Sequence, residues 1–442
     1  MSQIPINFVE NLQLQKLGIP QTSIGFSTVT MESDRYICVC DKTSTPPQVV
    51  IIDVQTPGNL FKRQTIADSA RMCPTSNHLA LISSRNIQVF NLDTKKKIKA
   101  YYLPEEVKFW KWISGTIIAL VTESCVYHWA TSDDSDAPTK MFDRHASTVG
   151  AQVINYHKNY NGEWLALVVI SAQENRVVGT IQLYSIARNT AQAIQGHACT
   201  FTNFLIEGNT CESNVFLFAT RSGSDAKINI IELGSVPAGN QPLIKRKVDL
   251  GFPPNAESDF PISIHADKKS GLFYVITKQG YIHMYELASG ECIFANNISK
   301  DVVFTTAQLQ DDNGFICINR TGSVLSISVN RNQIVPYLID KGMQGLAVTI
   351  AARAGFPGAE GLLLSKFNEY FNQRLFDKAA IIAAKSTGTA IRNSETIARF
   401  VALGEDDHNQ SSPILTYFST ILKAGKLNEL ESVELCNRVL MS

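Results

Sequence analysis

The residues whose types and spacing could do chemistry are concentrated in Arg85-Asn-Ile-Gln-Val-Phe-Asn-Leu-Asp-Thr-Lys-Lys-Lys-Ile-Lys99. If this is a strand, successive side chains leave opposite faces. Ile87, Val89 and Asn91 then share one face, and Gln88, Phe90 and Leu92 the other. The turn at Asp93-Thr94 leads into a lysine run in which Lys95 and Lys97 are directed the same way. An aromatic ring and an amide beside two ammonium groups suit an extended peptide that brings apolar side chains and a carboxylate. That chemistry is recognition rather than bond making. A solvated hairpin over an ordinary strand has the same spacing, and on spacing alone it is the first reading.

Motifs for catalysis are missing. There is no G-x-S-x-G elbow, no G-x-x-x-x-G-K-[ST] loop, no H-E-x-x-H and no G-x-G-x-x-G between a strand and a helix. The eight histidines are dispersed, with His128 and His283 inside strand-like phrases, where a satisfied structural role is the ordinary one. The carboxylate pairs Asp133-Asp134, Asp311-Asp312 and Asp406-Asp407 fall in loops and read as solvated. Nine scattered cysteines, most of them within strand phrases, read as reduced buried thiols. Cys38 and Cys40 lack a second pair at zinc spacing, so no metal or cofactor is expected.

What must position these side chains is a repeated strand. Gly280-Tyr-Ile-His-Met-Tyr-Glu-Leu287 sets a turn residue before strictly alternating apolar and polar positions. The phrase recurs as QVVIIDV from Gln48, NIQVFNL from Asn86, CVYHWAT from Cys125, TIQLYSI from Thr180, KINIIEL from Lys227, YIHMYEL from Tyr281 and SVLSISV from Ser323. Successive starts lie 38 to 55 residues apart, the length of one four-stranded propeller blade with variable loops. A second apolar run precedes each copy, such as HLALIS from His78, and a third lies further upstream, such as VKFWKWI from Val107. The expectation is a seven-bladed β-propeller of WD-like repeats over residues 1–330, with blades at about 24–66, 67–106, 107–149, 150–197, 198–259, 260–301 and 302–330. The alternating stretch near the N-terminus would add an outer strand to the last blade and close the ring.

After Asn330 the period shifts to three or four. Helices are expected over LAVTIAARAG from Leu346, AEGLLLSKFNEYFNQ from Ala359 and DKAAIIAAK from Asp377, then at Glu395–Leu403, Pro413–Ala424 and Leu430–Leu440. The reading is a helical linker over 331–394 and the start of an α-solenoid over 395–442, with the rod continuing beyond. Lys plus Arg equals Asp plus Glu at 40 each, so no global field favours nucleic acid or an acidic membrane. No apolar run is long enough to span a bilayer, and the N-terminus lacks a signal pattern, so a soluble intracellular protein is expected.

Several stretches together are more specific than a generic propeller. IGFSTVTMESD from Ile24, VVIIDV from Val49, FWKWIS from Phe109, ALVTE from Ala119, VYHW from Val126, KMFDRH from Lys140, GNQP from Gly239, ITKQGYIHMYEL from Ile276 and ESVELC from Glu431 resemble the clathrin heavy chain family, over essentially the whole sequence. The resemblance implies a non-enzymatic coat protein. Its propeller would bind short motifs in adaptor complexes, arrestins, and amphiphysin- and epsin-like proteins on the cytoplasmic face of coated pits and vesicles. Trimerisation and light-chain binding would belong to regions outside this sequence, so the resemblance implies that this stretch by itself is a monomer.

It also implies three sites. Between blades 1 and 2, a Leu-Φ-x-Φ-acidic clathrin box would meet Gln88 and Phe90 on the wall, Leu79 as apolar lining, and Arg63, Lys95 and Lys97 at its acidic end. Asn86 stands where animal members carry threonine and Phe61 where they carry isoleucine, which leaves motif preference open while the mode is kept. Near the axis, Phe26, Gln152 and Ile154 match a site for tryptophan-containing motifs, although Gln152 equally suits a satisfied core amide. Between blades 4 and 5, Trp164, Leu183, Arg188 and Gln192 match a groove for an arrestin-type loop, although an aromatic at that position more often packs inward. A coatomer or nuclear-pore scaffold would share the architecture without the quoted stretches. A propeller enzyme would need convergent ionisable groups at the channel.

Overall fold

The computed structural model describes residues 4–132, 137–310, 314–403, 412–425 and 427–441. The three carboxylate pairs and residues 404–411 lie outside these. Residues 8–328 form one compact unit, and residues 1–7 with 329–442 form another.

In the first unit, seven four-stranded antiparallel sheets follow one another in chain order. The recurring phrase is the third strand of every sheet: Gln48–Asp53, Asn86–Asn91, Cys125–Ala130, Arg176–Ser185, Asp225–Glu232, Tyr281–Glu286 and Ser323–Val329. The ring closes as expected, because the N-terminal strand Ile6–Gln13 pairs outside Ser323–Val329 and completes blade 7. Gly280 shows why a glycine heads one such phrase. Its φ is +84°, and a Cβ there would collide with the Ser299 carbonyl oxygen.

Hydrophobic cores form between neighbouring sheets. One joins Cys38, Cys40, Val49 and Ile51 of blade 1 to Ala70, Met72, Leu79 and Leu81 of blade 2, with Phe90 and Leu92 packed against it. The alternate residues of the same strand, Ile87 and Val89, turn the other way, into a core with Trp110, Trp112, Ile118 and Leu120 of blade 3. Burial pushes the Cys40 thiol up to about 11, consistent with cysteine used as a small apolar side chain. Burial fades outward. Strand Tyr36–Asp41 is almost wholly buried, whereas the outer strand Phe61–Gln64 is exposed along its length.

The second unit contains α1 (Ile334–Asp340), α2 (Gln344–Ala354), α3 (Glu360–Asn372), α4 (Phe376–Lys385), α5 (Ser394–Val401), α6 (Pro413–Ala424) and α7 (Glu429–Met441). Gly355, at φ 70°, ends α2 by donating its N–H to Ala351. Asn393 caps α5 by accepting from the Thr396 amide at 3.0 Å. Phe367, Phe371, Phe400 and Tyr417 form an aromatic cluster across α3, α5 and α6, with the Arg399 guanidinium 4.0 Å from the Phe371 centroid. Glu431, with none of its surface exposed, accepts from Arg392 Nε at 2.7 Å, from the other guanidinium edge at 2.6 Å and from Tyr417 Oη at 2.9 Å. Such a pair is fully satisfied, so removing one partner would strand a buried charge. No helix among the described residues is long and apolar enough to cross a membrane.

Candidate functional site

The blade-1/2 seam can be followed residue by residue along its cross-strand register. In blade 2, Met72, Leu79, Phe90 and Lys97 are successive neighbours across the sheet, as are Ala70, Leu81, Gln88 and Ala100. The blade-1 face opposite presents Val49 beside Arg63 and Ile51 beside Phe61. Exposure rises along both rows. Leu79 is 1% exposed, Phe90 and Gln88 are half-buried, and Lys97 and Arg63 are exposed. The seam is therefore dry inside and open at its rim.

At that opening the Arg63 guanidinium lies 5.3 Å from the centroid of the Phe90 ring, bridging the two blades. Lys97 is the cross-strand partner of Phe90 because a bulge falls between Val89 and Phe90. Lys95 closes the preceding turn at φ 56° and is exposed. One cation thus lies over the half-buried Phe90 ring, with exposed Lys97 across the strand pair from it and exposed Lys95 in the turn that precedes that strand.

One expected lining residue is corrected. Leu79 sits one strand inward of Phe90 inside the packed core, so it supports the wall without forming its surface. Two exposed residues escape the sequence reading. Tyr102, the partner of Asn86, is 69% exposed, and Ile66, on the connection into blade 2, is 77% exposed. Nothing in the local pattern marks Tyr102, since its place depends on register across two strands.

The blade-4/5 seam repeats the scheme with other side chains. Ala166, Leu183 and Gln192 are neighbours across blade 4, and Trp164 lies on the same face as Ala166. Trp164 is half-buried against a core of Ala166, Val168, Ile181, Leu183, Cys199, Phe216 and Leu233. Gln192 and Arg188 are exposed. Leu183, at 4% exposure, belongs to the core for the same reason as Leu79.

Phe26, Gln152 and Ile154 come together on a cavity of about 210 Å³ lined by the innermost strands of several blades. Phe26 is 39% exposed and Gln152 is exposed, so both belong to the mouth. Further lining comes from Arg71, Phe109, Lys111, Asn155, Phe260 and Lys278. Arg71 is paired with Glu32, and Lys111 donates to Asn155 Oδ1 at 3.2 Å. Burial lowers the Lys111 ammonium below its ordinary range, with Arg71 adding to that and Glu32 opposing it. The sequence signal for Lys111 was a lysine between two tryptophans, Phe109-Trp-Lys-Trp112, on an inner strand.

Comparison with known proteins adds identity to this geometry. Residues 355–421 match the Clathrin-H-link family model. Over 442 residues the chain is 46% identical to clathrin heavy chain 2 of Homo sapiens, covering all of this chain and 27% of that protein. It is 45% identical to the clathrin heavy chain of Drosophila melanogaster over 99% of this chain and 26% of that protein. For the clathrin heavy chain of Dictyostelium discoideum the identity is 40%, over all of this chain and 26% of that protein. The sequence thus spans about a quarter of the length of these relatives. This chain, a seven-bladed propeller followed by a helical segment, is a homologue of that quarter of the clathrin heavy chains.

Proposed function

We propose that this chain is the adaptor-recognising part of a vesicle coat, a non-enzymatic scaffold whose propeller takes up short linear motifs from disordered segments. Residues 1–330 are the recognition ring, 331–394 a helical linker and 395–442 the start of a leg. The observation that carries this reading is the rim of the blade-1/2 seam, where Arg63, Phe90 and Lys97 meet over a dry floor. A leucine-rich motif would lay its apolar side chains against Phe90 and Gln88 and its acidic end toward Arg63, Lys95 and Lys97. Asn86 sets the far end of that wall.

Phe26, Gln152 and Ile154 would take a tryptophan-containing motif at the axial mouth. Trp164, Arg188 and Gln192, supported by Leu183, would take an arrestin-type loop. The partners are adaptor complexes, arrestins, and amphiphysin- and epsin-like proteins at coated pits and vesicles, on the cytoplasmic face. Trimer formation and light-chain binding would be functions of the remainder of the family's chain.

A motif of about five residues buries little area and must be ordered on docking, so each contact is weak. Many rings meeting many motifs raise avidity by roughly 10²–10⁴ without new contacts. Weak single sites also allow the coat to come apart.

Calorimetric titration of a clathrin-box peptide tests the reading. Gln88→Ala with Lys95→Glu and Lys97→Glu is expected to lower affinity at least tenfold with an unchanged thermal transition. Equal affinity in variant and parent would remove the blade-1/2 assignment.

A further inference from the structure

The turn between the strands Gln152–Lys158 and Trp164–Gln173 carries a reactive dipeptide that peptide docking leaves unused, Asn161-Gly162. An asparagine side-chain amide is open to attack by the next backbone nitrogen, and glycine, with no Cβ, hinders that approach least. Asn161 is exposed and Tyr160 beside it is 87% exposed, so the turn stands clear of the sheet. A single hydrogen bond, from the Gly162 N–H to the Asn159 carbonyl at 3.1 Å, occupies the nucleophile. An exposed turn bond of this kind opens more readily than the strands it joins. The other Asn-Gly pair in the chain differs, since Gly314 is buried at the head of the strand Gly314–Asn319 and Asn313 lies outside the described residues. The turn also sets the edge of the blade-4/5 seam. Asn159 Oδ1 accepts from the Trp164 amide, and the Asn159 N–H donates to the Trp164 carbonyl, both at 3.0 Å. The Glu163 carbonyl accepts from the Ile186 N–H at 2.9 Å, which ties this turn to the one that carries Arg188. Asn161 Nδ2 donates to Glu163 Oε2 at 2.8 Å, and Asn161 Oδ1 accepts from the Glu163 N–H at 3.2 Å.

We propose that Asn161 is a site of spontaneous deamidation, and that its conversion loosens Trp164 and weakens the blade-4/5 groove. The effect on binding rests on the reading of Trp164, Arg188 and Gln192 as a peptide groove; the conversion itself does not. The Gly162 nitrogen gives up its proton and bonds to Asn161 Cγ, the Cγ–Nδ2 bond breaks, and the amide nitrogen leaves as ammonia. Water then opens the cyclic imide at either carbonyl, giving aspartate or isoaspartate, with nothing oxidised or reduced. Each product disturbs the turn. A carboxylate replaces the amide donor that meets Glu163, setting like charges side by side. Isoaspartate also adds a carbon to the main chain inside the loop that Asn159 and Trp164 close.

The test ages the whole chain under mildly alkaline conditions, beside a synthetic peptide of residues 158–165 that serves as a clock. Peptide mapping by mass is expected to find aspartate and isoaspartate at position 161 at a rate within tenfold of the free peptide, and none at that position in Asn161→Gln. An amide still intact at 161 once the free peptide has fully converted would overturn the site. Calorimetric titration with an arrestin-type loop should then show an affinity at least threefold weaker in the aged chain than in the fresh one. Aged Asn161→Gln should keep its affinity, and clathrin-box binding should not change with age. Asn161→Asp, which reproduces one product, should weaken the loop by less than ageing does. Full conversion with unchanged loop affinity would overturn the link to Trp164. A loop that binds neither fresh nor aged chain would overturn the groove reading and the effect on it, while the mass at 161 still decides the conversion.

Discussion

Blades 1 and 2 meet over a seam that ends in cations, whereas blades 4 and 5 meet over one that ends in an indole. The first exposes Arg63, Lys95 and Lys97, with Arg63 over the Phe90 ring, and the second presents a half-buried Trp164 with exposed Arg188 and Gln192. Each floor includes a buried leucine, Leu79 on the second strand of blade 2 and Leu183 on the third strand of blade 4, so the row that ends in Lys97 carries Phe90 where the row that ends in Gln192 carries Leu183. A repeated architecture therefore supplies two seams with buried apolar floors, and they differ in the few residues exposed at the rim. On the proposed reading, charge would do the choosing at blades 1 and 2, and shape and apolar area at blades 4 and 5.

The largest effect that would sharpen this contrast concerns stability. Trp164→Ala removes a half-buried indole from the blade-4/5 core and should cost about 2 kcal/mol, below the 3–5 kcal/mol of a fully buried aromatic. The exposed changes at the other seam should each stay within about 0.5 kcal/mol. Chemical denaturation compares them, and similar costs would mean that the two rims are built alike.

Next comes a crossed binding experiment. Gln88→Ala/Lys95→Glu/Lys97→Glu should lose about tenfold, or about 1.4 kcal/mol, for a clathrin-box peptide, and less than twofold for an arrestin-type loop. Arg188→Glu/Gln192→Ala should show the reverse. Loss of both ligands in either variant would break the contrast.

Acid should separate rim from core. His128 accepts or donates at 2.7 Å with Tyr156 Oη, and burial depresses its pKa from 6.5 to about 4. Because the folded value lies below the unfolded one, the contribution is full above pH 6.5 and is lost as pH falls from 6.5 toward 4. By pH 5.5 the loss is about 1 kcal/mol. The thermal transition should fall accordingly, less so in His128→Gln, while affinity at both seams stays flat between pH 7 and 5.5, since neither rim contains a histidine. Histidine-free rims that nevertheless lost affinity over this range would contradict the separation.

The smallest expected difference is in salt. With three cations against one, box-peptide binding should weaken about threefold between 0.05 and 0.5 M salt, and the arrestin-type loop less than twofold. Parallel salt curves would dissolve the distinction.

Much of this was legible in the chain. The third strands announced themselves by alternation, and the split of Phe90 and Leu92 from Ile87 and Val89 is borne out by the two cores they enter. Outer strands were faint because neighbouring blades diverge there and water reaches both faces, so Phe61-Lys-Arg-Gln64 needs no apolar period. Helix α1 was missed because it has seven residues with Pro336 near its start, where proline's missing donor is tolerated. Seam residues set by register, Tyr102 above all, were out of reach because a bulge shifts the pairing between Val89 and Phe90. The pair of Arg392, in the loop before α5, with Glu431 of α7 also needed coordinates, since its members are 39 residues apart.

The most direct measurement is a crystal structure of this chain with a clathrin-box peptide bound. The account predicts an extended peptide between the outer strand Phe61–Gln64 and the strand Asn86–Asn91, with leucine side chains against Phe90 and a carboxylate within hydrogen-bond reach of Arg63, Lys95 or Lys97. A peptide ordered elsewhere on the ring, with the blade-1/2 seam left empty, would contradict it.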